Sequence, residues 1–86
     1  MQSKIGIVLY TKPGCGLCEE MKQEISKAGI DDSYILEEVN IATDPDLFHR
    51  YRYDIPVLMI NGVEAFRHRL TANEFKSYVA SLARTS

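Results

Sequence analysis

The stretch Leu9–Ile25, LYTKPGCGLCEEMKQEI, decides how the rest of the chain reads. It ends an apolar run, breaks at Lys12-Pro13-Gly14, presents two cysteines two residues apart, and continues in a helical pattern. The spacing Cys15-Gly16-Leu17-Cys18 lets two thiols meet across one helical turn, close enough to form a small disulfide ring. A strand that delivers such a pair to a helix N-terminus is a redox motif, because free backbone N–H groups there favour a thiolate. The motif implies thiol–disulfide exchange.

Upstream, Ile5, Ile7, Val8 and Leu9 form a nearly continuous apolar run, the pattern of a strand buried on both faces of a helix-covered parallel sheet. Pro13 and Gly14 turn the chain. From Gly16 to Ala28, Leu17, Met21, Ile25 and Ala28 fall on one helix face, and Gly29 stands where a helix-ending glycine is wanted. Tyr34–Ile41, YILEEVNI, reads as a second strand, reached by a crossover long enough to be parallel and right-handed.

Asp44-Pro45 reads as an N-cap followed by proline at the first helical position. The short helix behind it carries Leu47, Phe48 and Tyr51 and ends by Tyr53 or Asp54. Ile55–Ile60, then Asn61-Gly62, then Val63–Phe66 signals a hairpin with a type I′ turn. Thr71 and Glu74 make a capping box before a last helix with Phe75, Tyr78, Val79 and Leu82 on its apolar stripe. The tail from Ala83 to Ser86 is expected to fray. The element order is β-α-β-α-β-β-α. This gives an α/β sandwich, a four-stranded mixed sheet with helices on both faces.

The 86 residues suit one domain spanning 1–86. A net charge of -2 argues against a nucleic-acid partner, which would call for a basic chain. No apolar stretch approaches the ~20 residues that span a bilayer, so no membrane partner is expected. The segment MQSKIGIVLY runs straight into strand-like sequence without a signal-peptide pattern. A cytoplasmic location and a monomer are the expectations.

Tyr10-Thr11-Lys12-Pro13-Gly14-Cys15 followed by Cys18 resembles the active-site strand and turn of glutaredoxins. Ile55-Pro56-Val57 resembles the segment that holds the cis-proline of the thioredoxin fold. With Cys-x-x-Cys-Glu-Glu, Asp44-Pro45-Asp46, Tyr51 and Asp54–Leu58, the chain is similar to a small glutaredoxin-like family over roughly Lys4 to Leu82. The resemblance implies a thioredoxin-like fold and a cis peptide bond before Pro56. It also implies that the Ile55 backbone pairs with an extended substrate like an added strand. Two departures stand out. Gly16-Leu17 replaces the common Pro-Tyr between the cysteines. Ala65–Leu70, AFRHRL, stands where glutaredoxins carry a Gly-Gly-Ser/Thr-Asp stretch that holds glutathione. That second departure makes glutathione a doubtful partner.

Cys15 is the candidate nucleophile, with Lys12 adding positive charge and Glu19 and Glu20 opposing it. Its pKa is expected below the free-thiol value of ~8.5, short of the extreme low end. Cys18, one turn in, is the candidate resolving thiol. Lys12, Ile55 and Pro56 are the candidate substrate-binding residues, and the substrate is a disulfide-containing protein or small thiol. No cofactor or metal is expected within one chain, because neither His49 nor His68 has zinc-like spacing from the cysteines. The alternative is a binding module of the same fold whose cysteines hold a cluster between two chains or are not catalytic. His68 reads as a surface residue, Arg67 and Arg69 as solvated charge, and Tyr10, Tyr51 and Tyr53 as packing at the core rim.

Overall fold

The structure, a computed structural model, describes residues 4–84. Its elements follow the expected order: β1 (Ile5–Thr11), α1 (Gly16–Lys27), β2 (Tyr34–Asn40), α2 (Pro45–Tyr51), β3 (Val57–Ile60), β4 (Val63–Arg67) and α3 (Ala72–Arg84). The sheet order is β2-β1-β3-β4. β1 pairs parallel to β2, from Ile5 opposite Tyr34 to Thr11 opposite Asn40, and antiparallel to β3. β3 and β4 form the hairpin, and both turn residues, Asn61 (φ 52°) and Gly62 (φ 82°), take the positive φ that a type I′ turn requires.

Strand alternation sorts the core into two layers. Ile7 and Leu9 face Met21 and Ile25 of α1, Ala28 at its C-cap, and Phe75 and Val79 of α3, together with Leu58 and Ile60 of β3. On the other face Ile41, Tyr51 and Val57 pack with Tyr10, Leu47, Phe48, Ile55 and Met59. The helices therefore cover both faces of the sheet.

Local chemistry fixes the helix ends. The Asp44 carboxylate accepts from the amides of Asp46 (3.0 Å) and Leu47 (3.3 Å), capping α2. At α3, Thr71 N–H donates to Glu74 Oε1 (2.9 Å) and Glu74 N–H donates to Thr71 Oγ1 (3.1 Å), the reciprocal capping box. Gly29 (φ 67°) follows the end of α1 in the left-handed conformation that terminates a helix.

Four expectations need correction. β3 begins at Val57, so Ile55 and Pro56 form a segment before the strand. β1 is buried on its α1/α3 face, whereas Val8 and Tyr10 on the α2 side are only half-buried, because the short α2 covers less of the sheet. Tyr53 is 81% exposed and belongs to no core rim. Ala83 and Arg84 continue α3; the remainder of the tail expected to fray lies outside the described residues.

Candidate active site

The C-terminal end of β1 aims the chain at the cysteines. Cys15 N–H donates to the Lys12 carbonyl (3.3 Å), with Pro13 and Gly14 (φ 79°) at the central turn positions, where a type II turn wants proline and then glycine. Cys15 then stands as the N-cap of α1 in extended conformation, and its Sγ accepts from the Cys18 amide at 3.1 Å. Cys15 and Cys18 are joined as a disulfide, with Cα atoms 5.3 Å apart. Their surroundings differ: Cys15 is partly exposed, whereas Cys18, in the first turn of α1, is 2% exposed.

Antiparallel pairing of Tyr10 with Val57 puts the start of β3 beside the end of β1. The Ile55–Pro56 segment therefore lies at the same end of the sheet as the cysteine turn. The Ile55–Pro56 bond is cis. Pro56 is buried, and its carbonyl accepts from the His68 amide at 2.7 Å. The Ile55 amide donates to the Tyr51 carbonyl (3.2 Å), closing the end of α2. Of the Ile55 backbone, the carbonyl has no hydrogen-bond partner among the described residues.

Lys12 is exposed and lines an open groove of about 280 Å³ with Thr11, Pro13, Gly14, Glu19, Glu38 and Asn40. Three polar residues in and beside this groove escaped the sequence reading. Thr11, 6% exposed, donates its hydroxyl to Glu38 Oε2 (3.3 Å). Lys22 bridges Glu38 and Glu19, each at 3.1 Å. Those hydrogen bonds, Glu38 first and Glu19 second, hold the Lys22 amine above its ordinary pKa. Glu19, expected to oppose a Cys15 thiolate, is thus partly offset by a cation one turn away. The only hint in sequence was the three-residue spacing of Glu19 and Lys22; the Glu38 link depends on β1–β2 register.

A second groove, about 450 Å³, runs between α1 and the loop into α3, with Leu17 and Glu20 on one wall and His68, Arg69 and Thr71 on the other. Arg67 is no free cation. It holds Glu64 through two hydrogen bonds of 2.8 Å and Asp54 at 3.2 Å. Among the described residues no three His, Cys, Asp or Glu side chains are grouped to hold a metal ion.

This arrangement of strand, turn, redox helix and proline segment defines a thioredoxin-like fold. The structure superposes on a chloroplastic thioredoxin z with a TM-score of 0.76, at 19% identity, covering 94% of this chain and 80% of that one. It superposes on protein Ne2328 of Nitrosomonas europaea with a TM-score of 0.74, at 26% identity, covering 91% and 94% of the two chains. In sequence, the chain is 33% identical over 72 residues to the glutaredoxin-like protein YDR286C homolog of Dictyostelium discoideum, covering 77% of this chain and 67% of that protein. The glutaredoxin-like domain (DUF836) matches residues 6–80, and the chain belongs to that family. Its cysteine pair, at disulfide distance, marks it as redox-related.

Proposed function

We propose that the protein is a dithiol–disulfide oxidoreductase in which Cys15 is the nucleophile and Cys18 the resolving thiol. The observation that carries this reading is the Cys18 amide aimed at Cys15 Sγ from 3.1 Å, at the open end of α1. That donor and the helix dipole favour negative charge on the more exposed of the two sulfurs. In the reaction, the Cys15 thiolate attacks a substrate disulfide, forming a mixed disulfide and expelling one substrate thiolate, which takes up a proton. The Cys18 sulfur, losing its proton, then attacks Cys15 and expels the second substrate thiolate. Two electrons and two protons pass from the dithiol to the substrate, leaving the Cys15–Cys18 disulfide. A thiol donor restores the dithiol for the next cycle.

Lys12, in the turn before the pair, and the Ile55–Pro56 segment, at the same end of the sheet, are assigned to substrate binding, with the unpaired Ile55 carbonyl as acceptor for a substrate amide. We place this chemistry in the cytoplasm, in a monomer, where a dithiol is kept available by the reducing poise. Among the described residues no helix is long and apolar enough to cross a membrane.

The test separates the two cysteines. Cys15→Ser is expected to abolish exchange, and Cys18→Ser to accumulate substrate as a mixed disulfide on Cys15. Mass mapping after brief alkylation at pH 7 should show Cys15 labelled first in the reduced protein. Faster labelling of Cys18 would reverse the assignment.

A further inference from the structure

Between His49 and Arg69 lie four of the chain's five arginines and both histidines, but two of its twelve acidic residues. Those two, Asp54 and Glu64, are both engaged by Arg67. Arg50, Arg52 and Arg69 have no carboxylate partner among the described residues. In a chain of net charge -2, these three arginines without a carboxylate partner thus stand on the elements that bracket Pro56.

A second observation points the same way. Tyr53 is 81% exposed, and the Arg52 guanidinium lies over its ring, 4.8 Å from the centroid. The Tyr53 carbonyl is 3.4 Å from His68 Nε2, and the His68 amide holds the Pro56 carbonyl. Arg52-Tyr53 and His68-Arg69 therefore join across the Pro56 segment. His68 and Arg69 continue it to the groove wall opposite Leu17, the residue beside Cys18. A tyrosine held outward beneath an arginine is the side-chain pairing that protein interfaces concentrate at their anchors. Free arginines around it select a partner of opposite charge.

We infer that this surface docks an acidic polypeptide segment that carries the substrate disulfide. The inference rests on the exchange reaction proposed above and specifies its substrate class. The docked disulfide takes two electrons and two protons from the Cys15–Cys18 dithiol and leaves as two thiols. Glu20 and Glu24 on the α1 wall of the groove, with Glu74 of α3, repel the same segment, so it lies on the Arg52–Arg69 side and not along the groove itself. A nucleic acid shares the charge but offers Cys15 no disulfide, so the redox pair beside the surface favours a polypeptide.

The experiment uses the reduced full chain in single turnover with three peptides, each holding one intramolecular disulfide flanked by acidic, neutral or basic residues. The acidic peptide should react on the order of tenfold faster than the basic one at low ionic strength, with the gap narrowing as salt is added. Arg52→Glu combined with Arg69→Glu should invert that order, circular dichroism verifying the fold. A parallel measurement follows fluorescence anisotropy of the acidic peptide, its cysteines replaced by serine, on the oxidised protein. Binding that is lost in the double variant supports the surface independently of catalysis. Exchange at equal rates on all three peptides overturns the docking surface and leaves the redox reading intact. Charge-dependent peptide binding without exchange on any peptide overturns the redox reading and leaves the surface standing. Tighter binding of a single-stranded DNA of equal length and charge overturns the polypeptide assignment.

Discussion

The His68 amide donates to the Pro56 carbonyl at 2.7 Å, and it does so from a left-handed backbone, φ 69°. Any residue with a Cβ is strained there, histidine less than most. The contact of His68 Nε2 with the Tyr53 carbonyl, 3.4 Å, offsets part of that strain and ties the loop before Pro56 to the end of β4.

Substitutions at His68 should reveal the backbone requirement. His68→Gly loses the ring contact but relaxes the left-handed residue. His68→Val loses the contact and keeps the strain, aggravated by β-branching. We expect the valine variant to be less stable than the glycine variant by about 1 kcal/mol, partly reduced because glycine has more freedom to lose on folding. Urea denaturation of the pair measures it, and equal midpoints would contradict the strain argument.

Phe75 should be the costliest single truncation. It is fully buried between the sheet and α1, and its ring meets Tyr34 edge-on at 5.6 Å. Phe75→Ala combines lost burial with a cavity, a destabilisation of about 3–5 kcal/mol. Total stabilities are typically ~5–15 kcal/mol, so the variant should lose a large fraction of its stability and melt well below the parent. A melting curve within a few degrees of the parent would show that the core relaxes around the gap.

These two positions show what the sequence could and could not carry. Phe75 was legible from the helical period behind a capping box, as Cys15 and Cys18 were from their spacing and Asn61-Gly62 from the turn it demands. Such signals are local: caps, turns and periodicity involve residues within one element. What stayed hidden depends on pairing between elements. Tyr53 carries no local mark of exposure: its carbonyl meets His68 and its neighbour Asp54 pairs with Arg67 of β4, contacts between elements that the local sequence does not announce. The Thr11–Glu38–Lys22 chain requires the β1–β2 register, and Glu24 meets α3 only because two helices share one sheet face. Ala65 sits at an irregularity of the β3–β4 ladder, where Leu58 faces Phe66 but Met59 faces Glu64. Nothing in Val63–Phe66 announces it.

Glu24 offers a pH test of that helix contact. Its carboxylate accepts from the Lys27 ammonium (2.9 Å) and from the Ala72 amide at the start of α3 (3.0 Å). Lys27 first, and the Ala72 amide second, hold its pKa below the usual 4.5. A carboxyl lowered on folding contributes stability above its unfolded pKa and loses it as the pH falls through the folded one. Glu24→Gln should therefore lower the urea midpoint at pH 7, with the deficit shrinking as the pH is taken below about 4.5. A deficit constant down to pH 3 would mean that the charge on Glu24 contributes nothing.

The same carboxylate bears on glutathione. A γ-glutamyl end needs amide donors for its carboxylate at a helix start and an acid for its ammonium. At the start of α3 three of those amides are already engaged, Thr71 N–H by Glu74, Ala72 N–H by Glu24 and Glu74 N–H by the Thr71 hydroxyl, and only the Asn73 N–H between them is open among the described residues. Of the two arginines just before that helix, Arg67 is held by Glu64 and Asp54, which leaves Arg69 as the one without a carboxylate partner among the described residues. To bond more than one of those amides, an incoming carboxylate would have to displace an existing anion rather than fill an open cradle. A lost charge-assisted hydrogen bond costs about 1.5–3 kcal/mol, roughly ten- to a hundredfold in affinity. We therefore expect weak turnover of a glutathionylated peptide beside measurable turnover of an intramolecular protein disulfide. Glu24→Gln, which removes the competing charge, should narrow the difference. Side-by-side assays with both substrates decide the point: efficient, glutathione-saturable turnover by the parent protein would show that the start of α3 opens to admit the tripeptide.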